Sequence, residues 1–279
     1  MKAHAQSGFP WAFIVLTYAF TWLILLPAVL ATFAGQPLPL PLLVLVATAQ
    51  FGPTVAAFIL TWRAEGGHGA LNLLKRAFDA RIRLPWLLAI FILPLAVAAI
   101  ALYANVLSGG PAPTLALLSQ PAAIVPMFLF ILLLQGPVPE EFGWRGYMLD
   151  RLQSRYNALA ASLIVGVTWG AWHLPLFYIR YLPFPFWAYL IAVVALSILM
   201  TWIYNNTGGK LLAALLFHAM FNLSIALFPP MSETAGGDTR GFIVLMLVYV
   251  LAAALVVVLW GAQTLSRGQR MAGTPVSMR

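Results

Sequence analysis

Long apolar runs, broken by short polar or Gly/Pro-rich intervals, set the pattern of this chain. No Asp, Glu, Lys or Arg occurs between Lys2 and Arg63, and the run is punctuated by Gly35-Gln36-Pro37 through Pro41. A crossing helix needs about 20 apolar residues, so this run predicts two spans, 9–33 and 42–62. The stretch 63–83 holds Arg63, Glu65, Lys75, Arg76, Asp79, Arg81 and Arg83 and is expected to be a polar connector. A third span, 84–106, ends at the turn signal Ser108-Gly109-Gly110-Pro111. The fourth, 121–135, is followed by Pro137 and Pro139. Pro139 is expected at the first position of a new or kinked helix, with Glu140 and Glu141 in its first turn, where negative charge meets the helix dipole favourably. That helix should run to Arg155 as an amphipathic element that leaves the membrane or lies along it. The remaining spans are 158–179, 186–204, 211–228 and 242–263, with Asn205-Asn206-Thr207-Gly208-Gly209 as a turn between the sixth and seventh. The pattern predicts an all-α polytopic transmembrane bundle of about eight spans. It forms a single integral membrane domain over 1–279, and a basic tail, 264–279, is expected to be mobile.

Composition agrees. Hydrophobic residues make up 62% of the chain and charged residues 8%, with a mean hydropathy of +0.93; soluble domains carry about a quarter charged residues. The net charge of +8 does not imply nucleic acid, because the basic residues lie scattered beside apolar runs, as topology signals and contacts to anionic lipid do. The absence of cysteine excludes disulfides, thiol catalysis and a Cys-based metal site. The first span is longer than a signal-peptide core and lacks a clean small-residue cleavage site, so it is expected to be retained. Eight spans put both termini on one side. All Lys and Arg except Arg180 and Arg240 then fall on the face of the termini. The positive-inside rule makes that face cytoplasmic, as in a bacterial-type cytoplasmic membrane.

Against this background the charges at Glu140, Glu141 and Arg145 stand out, since none precedes them back to Arg83. Ionisable groups near lipid are costly and need a reason. Glu141 and Arg145 are four apart and can pair on one helical face; Glu140, turned by about 100°, faces elsewhere. Two further clusters lie on apolar spans: Trp169 one turn before His173, and His218 one turn before Asn222. Singly, each has a bland reading as a dipole-satisfying pair or interhelical hydrogen-bonding groups. Together, a carboxylate, two imidazoles and an amide make a hydrolytic set: a base for water, a second activating group, and donors for an oxyanion. The same groups could bind and relay a cation in a coupled transporter, although no internal repeat supports that.

In order, E-E-x-x-x-R, aromatic-x-x-x-H and H-x-x-x-N resemble the motifs of the CPBP intramembrane proteases, the CAAX-protease and bacteriocin-processing (Abi) family. The resemblance covers about 121–228. It departs from the family at Trp169, where Phe is usual. It implies hydrolysis of a peptide bond in a membrane-associated protein or peptide, CAAX-type or bacteriocin-like. Glu140 with His173 would activate water, His218 and Asn222 would hold the oxyanion, and Glu141 with Arg145 would brace the first motif. Glu140, His173 and His218 are also a plausible Zn2+ set, and a metal-free glutamate-activated water is equally compatible. A non-catalytic immunity or scaffold protein of the same fold is the further alternative. Straight helices would not assemble the site: at 1.5 Å per residue His173 lies about 22 Å along its span and His218 about 10 Å along its own. A kink at Pro137 and Pro139, or a fifth helix that begins outside the membrane, is expected to close the gap around a cavity open to the cytoplasm.

Overall fold

A computed structural model describes residues 8–38, 40–179, 181–230 and 239–267. The basic tail beyond Arg267, and Lys2 and Arg180 from the charge count, lie outside the described residues. Among those described there is no strand. The helices are α1 Trp11–Phe33, α2 Leu42–Ala49, α3 Gly52–Lys75, α4 Leu84–Leu107, α5 Pro121–Leu134, α6 Pro137–Gly143, α7 Asp150–Gln153, α8 Ala158–Trp172, α9 Leu174–Tyr178, α10 Phe186–Asn206, α11 Leu211–Leu227 and α12 Arg240–Trp260. Grouped across short breaks, seven units are long and apolar enough to cross a membrane, and α11 is an eighth, shorter apolar helix. The polytopic all-α bundle is therefore as expected.

Three local expectations change. The stretch 63–83 is not simply a connector, because α3 runs on to Lys75 through a kink at Gly66. The new helix after α5 starts at Pro137, not Pro139; its entry residue Gly136 has φ 109°, which disfavours any residue with a Cβ. Beyond α6 the chain does not leave the bundle as a surface helix. Trp144–Leu149 forms a turn of π-helix whose six residues are all buried. Single π turns inside helices often mark functional sites.

α10 is the central post, the span with the largest buried share, whereas α5 is the most exposed. Exposed Leu and Phe side chains on α1, α4, α5 and α12 suit lipid contact. Polar groups tie helices at depth. Ser197 Oγ donates to the Ser162 carbonyl at 2.9 Å, linking α10 to α8. Tyr18 Oη and Trp22 Nε1 of α1 donate to the Thr168 and Trp172 carbonyls of α8 at 2.6 and 3.0 Å. α6 is seated against α3 where Gly143 leaves no room for a side chain: a Cβ there would stand 2.5 Å from Pro53.

Candidate active site

The site is built on the break between α5 and α6. A helix interrupted inside a bundle frees backbone carbonyls, which have to find donors away from lipid. Here Gln50 Nε2 donates to the Leu134 carbonyl, Asn222 Nδ2 to that of Gln135 at 3.0 Å, and Thr54 Oγ1 to that of Val138 at 2.9 Å. The break is thus held from α3, α11 and the turn between α2 and α3, and it projects Glu140 and Glu141 into the interior.

Both carboxylates are buried, and they have different partners. Glu141 accepts from Arg145 Nη1 at 2.9 and 3.0 Å on its two oxygens, as the i,i+4 spacing predicts. Its Oε1 also meets His218 Nδ1 at 2.8 Å. Asn222 and the other residues of α11 offer His218 no charged neighbour, so this hydrogen bond comes from a residue 77 positions away and was not legible in the α11 sequence. Glu140 stands outside that node: Trp169 Nε1 donates to its Oε2 at 2.6 Å.

Trp169 is the hub the sequence reading underweighted. Besides holding Glu140, its carbonyl meets His173 Nδ1 at 2.9 Å. Its ring packs edge-on to the His218 imidazole with centroids 5.2 Å apart, and the Arg145 guanidinium lies 4.6 Å from its centroid. The indole N–H is what the departure from Phe adds; a phenyl ring has no donor for Glu140.

The imidazole tautomers follow from these contacts. A carbonyl oxygen only accepts, so His173 Nδ1 carries the proton and Nε2 keeps its lone pair. A carboxylate also only accepts, so His218 donates from Nδ1. His218 Nε2 and Asn222 Nδ2 converge over Gly136: a Cβ placed there would stand 3.1 and 3.0 Å from them. One small atom can therefore sit within hydrogen-bond reach of both nitrogens.

Glu140, Trp169, His173, His218 and Asn222 all line one cavity of about 580 Å³, together with Gln135 and Gly136. The structure therefore brings the dispersed motifs together, as the sequence required. The gap left by straight helices closes through the α5–α6 break. The first two amides of α8 bond the Gln263 and Ala262 carbonyls beyond the end of α12. α8 itself stops at Trp172, with His173 as its C-terminal cap before Pro175. Most of the cavity wall is apolar, including Phe130, Leu176, Phe184, Ile225 and Phe242. It extends toward Tyr181, Leu182 and Pro230, at the end opposite the Lys/Arg-rich face.

Among the described residues no three His, Cys, Asp or Glu side chains are grouped so that they could hold a metal ion. Glu140 Oε2, His173 Nδ1 and His218 Nδ1 are each taken by another partner, and the second donor atom of each group remains uncommitted.

Comparison with known proteins reads the same residues. The family model described as Type II CAAX prenyl endopeptidase Rce1-like matches residues 121–224, a range holding all six sequence-predicted site residues. The motif-bearing stretch is thus similar to that family, and similarity to a curated protein extends further along the chain. The "CAAX prenyl protease 2" of Methanococcus maripaludis is 27% identical over 217 residues, covering 73% of this chain and 77% of that protein. Both support an intramembrane endopeptidase, a protease of the CAAX type acting on a membrane-associated protein.

Proposed function

We propose that this chain hydrolyses a peptide bond in a membrane-associated protein or peptide by a glutamate-activated water. The observation that carries the reading is the convergence of His218 Nε2 and Asn222 Nδ2 over Gly136, in the same cavity as the separately held Glu140. Glu140 Oε2 is fixed by Trp169, which leaves Oε1 to take a proton from water. His173 Nε2, with its Nδ1 proton committed, is the second acceptor for that water. The hydroxide formed attacks the carbonyl carbon, and the oxygen of the tetrahedral intermediate gains negative charge. Two donors aimed at that oxygen stabilise the transition state more than the ground state. Asn222 has a second N–H besides the one on Gln135. His218 donates from Nε2 when the ring carries both protons, with Glu141 accepting from its Nδ1. Collapse breaks the C–N bond, and the proton on Glu140 passes to the leaving amine. The apolar wall suits a substrate that carries a lipid or an apolar segment.

Glu140→Gln keeps the shape and the hydrogen bond from Trp169 while removing the base. Purified in detergent, it should remain folded and lose cleavage of a membrane-peptide reporter; full activity in this variant would sink the reading. Which side the substrate comes from is a separate matter, decided by labelling. By the charge rule the basic end is cytoplasmic, so Ser108→Cys should react with an impermeant thiol reagent on intact cells and Ser154→Cys should not. That result gives the cavity to the exterior and favours a secreted or membrane peptide. The opposite pattern turns the cavity to the cytoplasm and favours a prenylated C-terminal tail of the kind named for the archaeal relative.

A further inference from the structure

The end of the bundle opposite the cavity holds a second concavity, about 450 Å³, whose walls include Arg81, Arg83, Trp86, Asn206, Trp260 and Arg267. The carboxylates at this end are already committed. Asp79 takes both Arg81, at 2.9 Å, and Lys210, at 2.7 Å; Asp150 takes Arg76, at 2.9 Å. Arg83 and Arg267 have no carboxylate partner among the described residues. Glu140 and Glu141 are in the candidate active site, and Glu65 is not part of this wall.

The wall is built rather than loose. Arg267 donates from Nε and Nη2 to the Leu259 carbonyl at 3.2 and 2.9 Å, and its guanidinium lies 4.8 Å from the Trp260 ring centroid. Its Nη1 remains for another acceptor. Asn206 is fixed by bonds to the Trp202 and Leu265 carbonyls at 2.8 and 2.7 Å. Trp86, Trp202 and Trp260 stand in an edge-to-face row, each neighbouring pair 5.1 Å apart. Surplus guanidinium groups are good partners for phosphate oxygens, and indoles gather at the membrane–water boundary. Leu84 and Leu88 beside Arg83, and Val258 and Leu259 beside Arg267, are exposed, so apolar surface continues directly from the cationic wall.

We propose that this concavity binds a phosphate ester, and that the phosphate is the headgroup of an anionic phospholipid. The apolar flanks are what favour a lipid over a free anion: inorganic phosphate gains nothing from them, whereas acyl chains would lie along α4 and α12. The site is independent of the hydrolytic reading and would persist if that reading failed.

The test uses the full chain in neutral detergent, titrated with phosphatidylglycerol or phosphatidylcholine and followed by native mass spectrometry and thermal unfolding. Phosphatidylglycerol should bind and raise the unfolding temperature, and phosphatidylcholine should not. Arg83→Gln with Arg267→Gln should weaken phosphatidylglycerol binding about 10- to 30-fold and leave cleavage in detergent unchanged. Arg63→Gln with Lys75→Gln removes the same charge away from the concavity and should change binding less than about 2-fold. Equal losses in the two double variants would mean bulk charge and would overturn the site, as would wild-type binding in the Arg83/Arg267 variant. Inorganic phosphate at millimolar concentration should give no shift. If it stabilises as phosphatidylglycerol does, the lipid assignment is wrong. Arg83→Gln alone, at an exposed side chain, provides the same comparison should the double variant fail to fold.

Discussion

Two carboxylates in this molecule each accept from two side-chain donors, in opposite settings. Glu141 binds Arg145 and His218 with side chains that are 0%, 0% and 4% exposed. Asp79 binds Arg81 and Lys210 at the basic end, where the Arg81 side chain is 88% exposed. The bonds have nearly the same lengths, 2.7 to 2.9 Å. Bond length therefore says little about what either node does. In the interior, two charges removed from water make a node that is costly to break, because whichever partner stays is left without solvent. At the surface, water and salt take over from a lost partner, and the pair contributes little. The buried node also connects to chemistry, since it fixes the tautomer of the imidazole that faces the cavity. The surface node connects only helix ends.

The largest effect is therefore expected at Glu141. Glu141→Gln strands Arg145 in a site where it has no exposure, at a cost of about 3–5 kcal/mol, and it takes the acceptor from His218 Nδ1. The variant should show a large drop in unfolding temperature or in yield, and the folded remainder should have lost most of its cleavage. A stable, active Glu141→Gln protein would erase the contrast between the two nodes.

Gly136 tests the geometry without touching a charge. Gly136→Ala imposes a Cβ at φ 109°, in the space that His218 Nε2 and Asn222 Nδ2 share. Blocking two donors should cost activity about as losing one oxyanion donor does, about 100- to 1000-fold in kcat. The buried Glu141 node stays intact, so the unfolding temperature should fall much less than in Glu141→Gln. Full activity in this variant would place the reacting oxygen elsewhere.

The two nodes also differ in how far the sequence revealed them. Glu141 with Arg145 follows from an i,i+4 spacing close along the chain, and most spans follow from apolar runs whose bounds the helices match within a few residues, the second excepted, where α3 runs on to Lys75. His218 with Glu141 joins residues on two helices far apart in sequence, and nothing in either segment names the other. Gly136 could have been suspected from Gln135-Gly136-Pro137 just before two acids, because a glycine followed by proline marks a break. The π turn has no comparable signature: Trp144–Leu149 reads as ordinary helix, and burial by Leu73 and Leu211 around Gly146 is a property of the assembled bundle. Trp169 was visible as an aromatic one turn from His173, but its hydrogen bond to Glu140 needed the α5–α6 break to bring the carboxylate to it. Charge counting places Arg145 on the basic face, whereas the structure buries it beside Glu141, because depth along a broken helix is not encoded in local composition.

The smallest effect is expected at Asp79, and pH should isolate it. The hydrogen bonds from Arg81 and then Lys210 hold its carboxyl well below the usual carboxylate range. A carboxyl whose folded value lies below its unfolded one, about 3.9, contributes stability that is fully present above the unfolded value. That contribution is lost as pH falls toward and through the folded value. Asp79→Asn should therefore unfold at a slightly lower temperature than the wild type at pH 7, and the gap should begin to narrow below about pH 4. Salt at high concentration should close it too, since the node sits in water's reach. Thermal unfolding of both proteins between pH 7 and pH 3, with and without salt, gives the comparison directly. A deficit at pH 7 as large as that of Glu141→Gln, or one that grows on acidification, would mean that the surface node carries weight like the buried one.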